Sequence, residues 1–64
     1  MAERSFTNAE KHRALIREIE FRKRVYPRQI DAGRMTSQEA SRQIALFEAI
    51  AADYADLVEM ERLL

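Results

Sequence analysis

Residues 40–58, ASRQIALFEAIAADYADLV, carry the most regular signal in the chain. Ala40, Ile44, Phe47, Ala51, Tyr54 and Val58 follow alternating steps of four and three, which lines them up along one helix as the seam of a coiled coil. A second apolar line runs beside the seam. Leu46, Ile50, Leu57 and Leu64 recur at intervals of 4, 7 and 7, and this line lies roughly 100° around the helix from the seam. A helix with so wide an apolar face needs more cover than one antiparallel neighbour supplies.

Upstream of this stretch, Thr36 and Glu39 have the spacing of a capping box, in which the threonine hydroxyl and the glutamate carboxylate satisfy backbone N–H groups reciprocally. Met35, just before the cap, is placed to touch Ala40 as a hydrophobic staple. Gly33 precedes both and is the residue that enters the left-handed conformation without steric cost, so it marks the end of an earlier helix. Thr7 and Glu10 repeat the capping box and mark where that earlier helix begins. The pattern predicts helices over residues 8–32 and 37–63, each roughly 38 to 40 Å long. Equal lengths and a short loop make an antiparallel hairpin, a single all-α domain over residues 1–64.

In the first helix, Leu15, Ile19, Tyr26 and Ile30 follow spacings of 4, 7 and 4 and form its half of the hairpin core. These residues share a face only if helical phase survives Pro27, which removes one backbone donor and crowds the carbonyl of Lys23. The pattern predicts a kink; a full break with Tyr26 extended is the alternative. Phe21 and Val25 stand off this core line, four residues apart. With Leu46, Ile50, Leu57 and Leu64 they form the expected oligomer or partner interface, and the simplest closed product is a two-fold dimer forming a four-helix bundle.

Composition points the same way. A domain of 64 residues buries only about 60% of its unfolded surface and usually needs a staple. The chain has no cysteine and one histidine, so neither a disulfide framework nor a closed zinc site is available, and association remains. Lys and Arg balance Asp and Glu at 11 each, yet the two halves differ. Residues 1–34 hold nine basic against five acidic side chains, a net of +4, and residues 35–64 hold two against six, a net of −4. Packing the halves together, within one chain or between copies, brings opposite charges together. No apolar run approaches the roughly 20 residues that cross a bilayer. Met1–Thr7 lack the order of a secretory signal, so the expectation is a cytoplasmic protein without membrane contact.

The residues that could carry chemistry form no catalytic or metal-binding pattern, and neither an enzyme nor a cofactor is expected. His12 has no nucleophile or ligand cluster at helical spacing, and it reads as a helix-surface or core-edge residue. Asp53, Asp56, Glu59 and Glu61 are scattered around the second helix rather than convergent, as on a solvated face that meets the basic helix. Tyr26, Pro27 and Arg28 combine a kink with an amphipathic ring, which serves core packing or a recognition feature. Arg13, Arg17, Arg24 and Arg28 fall on one face at spacings 4, 7 and 4. This stripe could track nucleic-acid phosphates, but Glu10 and Glu20 interrupt it and the chain is neutral, which favours a solvated face or an acidic protein partner.

From Arg22 to Tyr54 the chain combines the basic run Arg22–Lys23–Arg24 with Val25–Tyr26–Pro27, the turn Gly33–Arg34–Met35–Thr36 and the helix start Glu39–Ala40. This combination, over about half the chain, resembles a group of small bacteriophage and prophage proteins. The turn is also similar to short helical hairpins of the SHOCT type, whose Gly-x-Ile-Thr-x-Glu-Glu pattern has Met35 here in place of the isoleucine. The phage resemblance implies a protein that works in a host cytoplasm. Small phage proteins of this kind commonly bind and inhibit or redirect a host protein, including components of antiviral defence.

Overall fold

The computed structural model describes residues 6–64, in which two helices, α1 (Asn8–Asp31) and α2 (Ser37–Arg62), pack against each other as a hairpin. Glu3, Arg4 and most of the segment read above for a signal lie outside the described residues. Each helix ends one residue earlier than its sequence pattern predicts, and the residue so released, Ala32 or Leu63, serves as the C-cap.

Both capping boxes are closed. The Glu10 N–H donates to Thr7 Oγ1 at 3.0 Å and the Thr7 N–H donates to Glu10 Oε1 at 2.8 Å. At α2 the corresponding distances are 3.0 Å from Glu39 N to Thr36 Oγ1 and 2.9 Å from Thr36 N to Glu39 Oε1. The Thr7 backbone N–H chiefly, and the Thr7 hydroxyl after it, hold the Glu10 carboxyl below the usual glutamate value, with Arg13 adding a smaller pull.

The turn between the helices is a Schellman motif. The Gly33 N–H donates to the Ile30 carbonyl at 3.0 Å, and the Arg34 N–H reaches back to the Gln29 carbonyl at 2.9 Å. Gly33 takes the left-handed conformation that the motif needs, with φ of 75°. A Cβ added there meets no atom within 4 Å, so Gly33→Ala isolates the backbone term: thermal or urea unfolding is expected to show a loss of about 1–2 kcal/mol.

Pro27 does not break α1. The helix runs through it without interruption, and Pro27 is exposed while Tyr26 beside it is buried. The missing N–H therefore falls on the open side of the helix, where water can serve the Lys23 carbonyl that lost its donor. Phase is kept from Ile19 to Ile30. The core is thin: Ile19 and Tyr26 from α1 and Ala40 and Ala51 from α2 are the buried apolar residues among those described. Small side chains on α2 let its backbone approach the large ones of α1. No helix of the described residues is long and apolar enough to cross a membrane.

Candidate interaction surface

The ten residues assigned to the hairpin core are all buried or half-buried. Ile19, Tyr26, Ala40 and Ala51 are buried, and Leu15, Ile30, Ile44, Phe47, Tyr54 and Val58 are half-buried. Two layers of helix enclose no interior, which is why the larger side chains keep part of their surface in water.

The two long flanks of this contact differ. On one, Arg22 bridges the helices: its guanidinium lies 4.3 Å from the centre of the Phe47 ring, and its Nη1 donates to Tyr26 Oη at 2.9 Å. Arg22 Nε sits 3.0 Å from Glu18 Oε2 without a well-aligned hydrogen bond. The hydrogen bond to Tyr26, and to a smaller extent Glu18, hold the Arg22 guanidinium above the usual arginine value. Nearer the open end, Lys11 Nζ stands 5.8 Å from the Tyr54 ring centre.

At about 100° per residue, Phe21 and Val25 emerge from α1, and Leu46, Ile50 and Leu57 from α2, outside this Arg22–Phe47 line and on the same side of the hairpin. Phe21, Leu46 and Leu57 are 49%, 52% and 41% exposed, whereas Val25 and Ile50 are half-buried. Leu64 lies past the end of α2 and is fully exposed. The result is two apolar rows, one per helix, on either side of a line of cation–aromatic contacts.

The opposite flank holds two open grooves of ≈ 410 Å³ and ≈ 460 Å³. His12, Ile16, Glu20 and Lys23 line the first from α1, with Ala51, Ala52 and Ala55 from α2, while Pro27 and Ser41 line the second. Lys23 Nζ and Glu48 Oε2 close between the grooves at 3.3 Å, the one ion pair between the helices among the described residues. At the open end Asn8 Nδ2 donates to Glu61 Oε2 at 2.6 Å. The opposite charges of the two halves are thus largely left unneutralised within the hairpin.

Arg13, Arg17, Arg24 and Arg28 are all exposed on the outer side of α1, and Arg24 lies 5.9 Å from the Phe21 ring. Asp53, Asp56, Glu59 and Glu61 are likewise exposed on α2. Among the described residues no group of three or more His, Cys, Asp or Glu side chains is placed to hold a metal ion.

Arg22 was not singled out by the reading of the sequence, which saw it as one member of a basic run. The spacing of Glu18, Arg22 and Tyr26, four residues apart twice over, is the signal that marks it, because side chains at that interval meet on one helix face. Comparison with known proteins found no matching family model, no matching curated protein and no matching solved structure.

Proposed function

We propose that this chain is a non-catalytic protein-binding module that assembles as a two-fold dimer, a four-helix bundle, and acts as an inhibitor or adaptor on a protein of the host cytoplasm. The observation that carries the assembly is the double apolar row of Phe21, Val25, Leu46, Ile50 and Leu57 on one flank of a hairpin whose own core is thin. Two stacked hairpins cover both rows at once and supply the enclosed interior that one hairpin lacks. The inhibitor or adaptor role is supported by the resemblance of the Arg22–Tyr54 segment to small phage proteins. Sedimentation equilibrium at micromolar concentration is expected to give a dimer. Leu46→Asp combined with Leu57→Asp, at two exposed positions, is expected to give a folded monomer by circular dichroism, and a wild-type chain that is already a stable monomer would reject the assembly.

A second reading has one specific observation in its favour, the exposure of all four arginines of the outer α1 stripe. It makes the chain a nucleic-acid-binding or nucleic-acid-mimicking accessory factor. Binding would then weaken steeply as salt rises. Unchanged affinity for a duplex oligonucleotide after Arg17→Glu and Arg24→Glu, across a salt series, eliminates that reading.

A further inference from the structure

We infer that the second copy stacks on the Phe21–Leu57 flank with its α2 over α1 of the first copy and its α1 over α2, about a two-fold axis parallel to the helices. The inference rests on the reading of this flank as the dimer interface and adds the orientation which that reading leaves open.

Two arrangements bring a pair of such flanks together with two-fold symmetry. An axis across the helices lays α1 on α1 and α2 on α2. An axis along the helices lays each helix on the other kind. Charge separates them. Between Asn8 and Asp31, α1 carries seven basic and four acidic side chains, a net of +3, and α2 between Ser37 and Arg62 carries two and six, a net of −4. The crosswise axis sets like against like along both contacts, and the lengthwise axis sets opposite charges together in both.

Heights along the hairpin agree with this choice. The contacts Asn8–Glu61, Arg22–Phe47 and Lys23–Glu48 show that residues whose numbers add to about 70 lie level. A lengthwise two-fold leaves height unchanged, so the same levels hold between copies. Phe21 then faces Ile50 of the second copy, Val25 faces Leu46 and the small Ala14 faces Leu57. At the rim, Arg17 comes level with Asp53 of the second copy, and Lys11 comes beside Glu61. Arg17 and Asp53, unneutralised within one hairpin, are paired by this arrangement. Towards the turn Arg28 comes level with Arg42 and Asp31 with Glu39, so the charge preference is that of the helices' net charges and of the Arg17–Asp53 pair.

Position 17 and position 53 point away from each other within one hairpin, and the chain has no native cysteine, so two single-cysteine variants report the orientation. Arg17→Cys and Asp53→Cys chains, both at exposed positions, are mixed and treated with a short bis-maleimide. The mixed 17-to-53 product is expected to be the main covalent species. Excess of the 17-to-17 and 53-to-53 products overturns the inference in favour of the crosswise axis. Absence of any product, while the chain sediments as a dimer, overturns it as well and leaves the dimer standing. A chain that sediments as a monomer removes the dimer and this orientation with it.

Discussion

Ile19→Ala is expected to remove most of the stability of the isolated hairpin. Ile19 is 4% exposed, as closely covered as any residue among those described, and lies with Ala51 at the centre of the helix contact. Truncating a buried isoleucine to alanine costs about 2–5 kcal/mol, against a total of roughly 3–10 kcal/mol for a chain of this size. Ile16, three residues earlier and 42% exposed, is the control, and its alanine variant is expected to lose under about 1 kcal/mol. Urea denaturation of both variants at one protein concentration checks the comparison. Equal losses would mean that the centre of the contact is not where the structure puts it.

Pro27→Ala acts in the opposite direction and nearly as strongly. A proline inside a helix is about 3 kcal/mol less favourable than alanine, and part of that is returned because proline also restricts the unfolded chain. A net gain of about 2 kcal/mol is expected, which for a domain of this size raises Tm by about 8–16 °C. The proline ring lines one of the open grooves but is exposed, so little packing is lost with it. An unchanged or lower Tm would show that the ring's contacts in the groove outweigh the missing backbone hydrogen bond.

Helix ends were legible in the sequence because the interactions that make them are local. Thr7 with Glu10, Thr36 with Glu39, and Gly33 with the residues just before it act within a span of three to five positions, and the structure closes all of them. The path through Pro27 was less legible. A local penalty there competes with the packing of Tyr26 and Ile30 onto α2, and the spacing of Leu15, Ile19, Tyr26 and Ile30 was the sign that packing prevails. Arg22 shows where the sequence runs out. That it meets Phe47 depends on the register between the helices, which the turn geometry sets and no single-helix periodicity encodes. The apolar rows could be assigned to a flank from the period alone, whereas the proposed second copy over them leaves no mark in the periodicity of one helix.

The five residues between the helices have a consequence for motion. Closing so short a connection costs little chain entropy, and the Schellman bonds and the α2 capping box are crowded into it. Asn8 and Glu61, at the far end, are 53 positions apart and meet through one exposed hydrogen bond. The two helices therefore part from that end first, like a pair of tongs hinged at Gly33, and amide protons should exchange with solvent fastest there and slowest over the middle turns nearer the hinge.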